Sequence, residues 1–121
     1  MQYLLLINDE ESVWGDMPEA EQNAMYVEYG RYTEELRTSG ALVGANQLQP
    51  SSTATVLSVR DGQTLVTDGP FAETKEVLGG YYLIDVDSLD EALEWAARIP
   101  SARVGHVEVR PVVMREAEVA S

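Results

Sequence analysis

The residues best suited to chemistry crowd one stretch of this 121-residue chain. Asp68 opens the segment Asp68-Gly69-Pro70-Phe71. Glu73, Lys75 and Glu76 follow within eight residues, and Tyr81 and Tyr82 come just after. Carboxylates beside a lysine and tyrosine hydroxyls are an adequate set for general acid–base work. Two carboxylates in one apolar cleft are also driven apart in pKa, so that one can act as acid and the other as base. The same oxygen and nitrogen donors suit Mg²⁺ or Ca²⁺, but their spacing matches no calcium loop, and no metal is assigned. His106 is the single histidine and the one side chain whose ordinary pKa lies near neutrality. It heads the alternating run His106-Val107-Glu108-Val109-Arg110. Asp68 and His106 are therefore the candidate catalytic residues. Glu73, Lys75, Tyr82, Glu108 and Arg110 are the candidate ligand-binding residues.

Each of these has an architectural alternative. Asp favours the first position of a turn because its carboxylate can accept backbone N–H groups two residues on, and Pro70 presets φ. On that reading Asp68 rivets the turn and Phe71 anchors it. Glu73, Lys75 and Glu76 are then solvated loop charges. His106, Glu108 and Arg110 are then the water-facing half of a half-buried strand, or part of inter-subunit salt bridges. Trp95 reads as a packing anchor. Trp14, which follows an acidic stretch, reads either as packing or as the rim of a pocket.

What the chain lacks narrows the classes further. Cysteine is absent, which removes disulfides, thiolate nucleophiles and Cys-ligated metal or iron–sulfur sites. No phosphate-binding loop, dinucleotide glycine fingerprint or nucleophile motif is present, and no cofactor is called for. Eight basic against 21 acidic residues give a net charge of −13, which disfavours nucleic acid and anionic membranes as partners. The first seven residues, Met1-Gln2-Tyr3-Leu4-Leu5-Leu6-Ile7, carry no basic region and form too short an apolar run for a signal peptide. A soluble, cytoplasmic protein is expected.

The elements that must hold these residues can be read from periodicity. Met1–Ile7 is an expected buried strand. A helix is expected to open at Asp16-Met17-Pro18-Glu19, with Asp16 or a neighbour capping it and Pro18 in its first turn. Met25, Tyr29, Tyr32 and Leu36 form one stripe of that helix, and Gly40 stands where a left-handed cap belongs. Ala41–Gln49 is extended. Ala54–Val59 and Gln63–Thr67 flank Asp61-Gly62, a strong hairpin signal. Asp68–Leu78 is a loop and Tyr81–Val86 a strand. Ser88-Leu89-Asp90-Glu91 is a capping box that starts a second helix, which Pro100 stops. Val104–Val113 is the last strand.

The order β-α-β-β-β-α-β is that of an α+β, ferredoxin-like sandwich, with one domain over residues 1–114 and a loosely ordered tail at 115–121. If Val107 and Val109 face the helices, then His106, Glu108 and Arg110 line the open face of the sheet. A two-fold homodimer would cover that face and turn it into a cleft. Asp68 and His106 could then lie close across the sheet or across the dimer.

The eleven residues from Val66 to Glu76, followed by Gly79-Gly80-Tyr81-Tyr82-Leu83-Ile84, closely resemble the DGPF-type branch of the YCII-related family. The likeness extends to Tyr3-Leu4-Leu5-Leu6-Ile7, to the run Leu89–Ala96 and to Val107-Glu108-Val109-Arg110-Pro111-Val112. It implies a dimeric α+β barrel. It implies little about activity, although gene neighbourhoods in that branch suggest a link to extracytoplasmic-function sigma factors. Some members of the wider family are thought to use a His–Asp pair for proton transfer. That pair is missing here. No histidine lies between Pro18 and Gly40, and Ile99-Pro100-Ser101 stands where an Asp-Pro-Tyr segment is expected.

Two readings of function follow. One is a small dimeric ligand-binding or cofactor-free, enzyme-like protein with a cleft at the dimer interface and a small-molecule ligand. The other is a non-catalytic regulatory module that pairs with a protein partner of sigma-factor type. A pocket lined by Asp68, Tyr82 and His106 would favour the first; a solid interface with those groups paired off would favour the second.

Overall fold

The first strand, β1 (Gln2–Asp9), points Tyr3, Leu5, Ile7 and Asp9 into the interior and leaves the alternate residues half-buried on its other side. Period-2 alternation of this kind is what a strand with one face against a core requires. In the computed structural model, which describes residues 1–70 and 75–115, β1 lies at the middle of a four-stranded sheet. The helices that follow are α1 (Glu11–Asp16) and α2 (Glu19–Ser39). Then come β2 (Leu42–Gln47), β3 (Thr55–Arg60), β4 (Gln63–Asp68), β5 (Val77–Asp85), α3 (Leu89–Ala97) and β6 (His106–Pro111). The sheet runs β2-β5-β1-β6 with every neighbouring pair antiparallel. An α+β chain with this strand order is compatible with a ferredoxin-like fold.

The core explains why these segments fold as they do. Tyr3, Leu5 and Ile7 of β1 meet Tyr82 and Ile84 of β5, Tyr32 and Leu36 of α2, and Ala92 and Ala96 of α3. The expected stripe Met25-Tyr29-Tyr32-Leu36 is the inward face of α2, with Tyr29 partly buried and the other three buried. The Tyr32 ring stands edge-on to both Tyr82 and Trp95, a favoured geometry for aromatic pairs. Its hydroxyl donates to the Trp95 carbonyl at 2.8 Å, so a buried polar atom is satisfied. Trp95 is thus a packing residue. Val107 and Val109 of β6 pack against the same core, and His106, Glu108 and Arg110 are exposed on the opposite side.

Both helix termini expected from sequence are present, and one start differs. Gly40 caps α2 at φ +86°. Ser88 accepts the Glu91 N–H at the start of α3. Asp16 does not cap α2. It ends α1, an extra short helix, and Pro18 occupies the cap position of α2 without a side-chain bond. The amide of Gln22 closes the junction instead, donating to the carbonyls of Trp14 and Met17.

The hairpin at Asp61-Gly62 forms, with φ +52° and +77° at the two turn residues, the signs a type I′ turn needs. Its strands do not join the main sheet. β3 and β4 make a separate two-stranded ribbon inserted between β2 and β5, and β5 starts at Val77 within the expected loop. The tail beyond Arg115 lies outside the described residues, as do Phe71 to Thr74. Among the described residues no helix is long and apolar enough to cross a membrane.

Two glycines give opposite expectations. A Cβ on Gly105 would collide with the Asn8 carbonyl oxygen and come within 2.8 Å of Asp9 Cβ. Gly105→Ala should therefore cost about 1–3 kcal/mol, the usual range for overpacking. A Cβ on Gly30, mid-helix and exposed, meets nothing within 4 Å. Gly30→Ala should stabilise by about 0.5–1 kcal/mol through helix propensity. Urea unfolding of both variants beside the parent checks the pair. Loss of stability in Gly30→Ala would mean that this glycine has a role its open surroundings do not reveal.

Candidate functional site

At the Asp9 end of β1 the sheet and the first half of α2 diverge and leave a cavity of about 590 Å³. That volume falls within the range of small-molecule sites. Its floor is the helix-covered face of the sheet, from Ile7 and Asp9 of β1, Ala45 of β2, and Gly80 and Tyr82 of β5. One wall is Gln22, Tyr26 and Tyr29 of α2. The roof is α1, which contributes Glu11 and Trp14, and the segment from Gln47 to Ser51. Glu11 ties the two parts of the roof together by accepting from both the backbone N–H and the hydroxyl of Ser51.

Asp9 is the chemical centre of this space. Only 6% of its surface is exposed. Trp14 Nε1–H donates to its Oδ2 at 2.9 Å, and Ser101 supplies a second side-chain hydrogen bond. Burial raises its pKa above the usual 3.8 by penalising the charged form, and the carboxylates of Glu11 and Glu76 push the same way. The Trp14 and Ser101 bonds oppose that rise without cancelling it. The Ser101 hydroxyl in turn accepts from the Tyr29 hydroxyl at 2.6 Å. Tyr29, Ser101 and Asp9 thus form a chain of hydrogen-bonded groups ending in a carboxyl whose proton is held more firmly than usual. Burial also raises the pKa of Tyr29 and of Tyr82, which keeps both as neutral O–H groups. Tyr82 shares a 2.7 Å hydrogen bond with Thr33. A set of this kind can bind a polar organic molecule and exchange a proton with it.

Of the residues chosen from sequence, Tyr82 lines this cavity. Asp68 does not; it ends β4 on the ribbon, exposed and opposite Thr55. The turn that the architectural reading assigns to it continues into Phe71, outside the described residues. His106 lies at the start of β6 on the other face of the sheet. Its Nδ1 meets Glu76 at 2.8 Å, so within one chain His106 is joined to Glu76 and not to Asp68. Glu108 and Arg110 continue that same exposed face. Lys75 pairs with Glu10 at 3.4 Å. Glu73 lies outside the described residues. Among the described residues no three acidic or imidazole side chains converge on a possible metal site. The cavity forms within one chain and on the helix-covered face, whereas the cleft expected from sequence lay on the open face between two chains.

Asp9, Ser101 and Tyr29 escaped the sequence reading. The signal for Asp9 was available: the inward alternation Tyr3, Leu5, Ile7 continues one step further to Asp9. Tyr29 was read as core because it lies on the apolar stripe of α2. Ser101 belongs to Ile99-Pro100-Ser101, the segment where the resemblance implied an aspartate. A polar contact between that segment and the first long helix exists all the same, made by Ser101 and Tyr29.

The raised pKa of Asp9 makes a signed prediction. The folded protein holds this proton more tightly than the unfolded chain does. Between the usual carboxylate value and the folded one, the native state binds more protons, so stability falls as pH rises through that window. Asp9→Asn keeps an acceptor for Trp14 and has no charge to bury. It should be more stable than the parent at neutral pH, and that advantage should vanish toward about pH 3, below the ordinary carboxylate pKa. Urea unfolding of both proteins across pH checks this. A variant less stable than the parent at neutral pH would show that the Asp9 charge is stabilising.

The comparisons give a family and name no reaction. The model of the YCII-related domain matches residues 1–116. An uncharacterized protein of Rhizobium meliloti (strain 1021) is 38% identical over 116 residues, which cover 94% of each chain. On both grounds this chain belongs to the YCII-related family.

Proposed function

We propose that the protein is a small-molecule-binding, enzyme-like member of its family in which Asp9 exchanges a proton with the bound molecule. The observation that carries this reading is a buried carboxyl with a raised pKa on the floor of a ligand-sized cavity. Structural cores rarely keep such a group without use, because it weakens the fold. The Tyr29–Ser101 hydroxyl pair supplies a route for proton movement beside it. The segment Asp68-Gly69-Pro70-Phe71 supports placing the chain in the DGPF-type branch, with a role outside this cavity.

Incubating the protein with a mixture of small metabolites and following it by mass spectrometry tests the reading. At least one compound should be converted by the parent and left intact by Asp9→Asn. Identical profiles for the two proteins would remove proton transfer at Asp9.

A homodimer is the second part of the proposal. Leu57 and Val66 are direct cross-strand partners on the ribbon, and with Val59 they share one face by alternation. They are 61%, 60% and 54% exposed. A lone two-stranded ribbon is marginal in water, so an apolar outward face on it supports burial against a second copy. Light scattering should give twice the chain mass for the parent and one chain mass for Leu57→Lys/Val66→Lys. A monomeric parent would leave that face to a different protein, such as a partner of sigma-factor type.

A further inference from the structure

The charges around the cavity are one-sided. Among the described residues lining it, the charged groups are Asp9 and Glu11, and both are acidic. Lys75 is tied to Glu10 and is not a lining residue. The arginines Arg98 and Arg103 are paired with Glu35 and Glu28 on the helices. The whole chain carries −13, so the long-range field has the same sign as the cavity.

The walls complete the pattern. The Trp14 and Tyr26 rings stand 5.8 Å apart, tilted by 41°, and form an aromatic corner over the cavity. The π-faces of such rings attract cations, and more strongly when water is excluded. Asp9 accepts two hydrogen bonds, but an ionised carboxylate has about four acceptor positions, so capacity remains for a ligand N–H. Neither Trp14 nor Ser101 brings a charge. Among the described residues, the buried carboxylate therefore has no counter-ion in direct contact. A bound cation would supply one. An anion would meet two carboxylates and no basic group.

We propose that the cavity selects an organic cation: an amine on an apolar or aromatic body, with the ammonium group on Asp9 and the body in the Trp14–Tyr26 corner. This rests on the reading of the Asp9 cavity as a binding site, and it adds the charge class of the ligand. The inference requires only binding, so it stands or falls separately from proton transfer.

Three molecules of one shape separate the possibilities: phenethylamine, 2-phenylethanol and phenylacetate. Binding is followed by NMR through the indole N–H of Trp14, in about 0.15 M salt to screen diffuse attraction to the acidic surface. The Trp95 indole, packed on Tyr32 and Arg98 away from the cavity lining, serves as the internal reference. Phenethylamine should bind about tenfold or more tighter than 2-phenylethanol, moving Trp14 and not Trp95. Phenylacetate should be the weakest of the three. In Asp9→Asn the amine should lose its advantage while the alcohol keeps its affinity. Equal or tighter binding of the alcohol or the acid by the parent would overturn the cation preference and leave the cavity standing as a site. Amine binding that moves both indoles alike, or survives unchanged in Asp9→Asn, would overturn it too. No shift with any of the three would overturn both the preference and the cavity as a binding site.

Discussion

A carboxylate stands where the alternation of the central strand would otherwise place another core side chain. Tyr3, Leu5 and Ile7 bury one face of β1, and Asp9 is the next residue on that face. Pairing holds β1 between β5 and β6 as far as Asn8, and Asp9 itself pairs with Val77 of β5, which keeps its side chain on the inward face. The surroundings of Asp9 follow from this constraint. A buried carboxylate needs donors, and Trp14 and Ser101 provide them. It also needs room: a side chain on Gly105 would strike Asp9 and the Asn8 carbonyl. The short helix α1 turns back directly after β1, and that return brings the Trp14 indole over the carboxylate. The cavity is the space left where sheet and α2 diverge around this polar group.

The burial of Asp9 weighs against stability, because desolvation is the largest influence on it and its hydrogen bonds offset that only in part. Proteins tolerate such local costs where activity needs them, and the rest of the core compensates. Here the compensation is visible in the apolar core, where Leu5, Leu36, Ile84 and Ile99 are fully buried. Along the inward face of β1 the apolar residues Tyr3, Leu5 and Ile7 thus give way to the polar Asp9 beneath Trp14 of α1. The exposed row His106, Glu108 and Arg110 lies on the far side of the same sheet. Two surfaces with different chemistry are separated by the thickness of one strand layer.

Much of the fold was legible in the sequence, because local rules and tertiary packing agree there. The stripe of α2, the Gly40 cap, the Ser88–Glu91 box and the Asp61-Gly62 turn are all short-range signals, and each matches the structure. Alternation alone put Val107 and Val109 on one side of β6 and His106, Glu108 and Arg110 on the other, and the core lies on the valine side. What was not legible depended on distance. Nothing local marks β3 and β4 as a separate ribbon, since strand pairing across a long connection is set by the whole sheet. The short helix α1 carries no side-chain cap to announce it. The residues gathered around the cavity escaped the sequence for a related reason. A cluster of ionisable residues along the chain, such as Asp68 to Glu76, is conspicuous in sequence. Asp9, Tyr29 and Ser101 are far apart along the chain, and only the fold brings them together.

Mapping a small, chemically mixed fragment library by amide and indole NMR would test most directly whether the Asp9 cavity is the functional site. If it is, the hits will converge on the Trp14 indole and on the amides of Asp9, Tyr29 and Ser101, whatever their charge. Hits gathered instead on the ribbon around Leu57 and Val66, or along His106, Glu108 and Arg110, with the Trp14 indole unmoved, would contradict it.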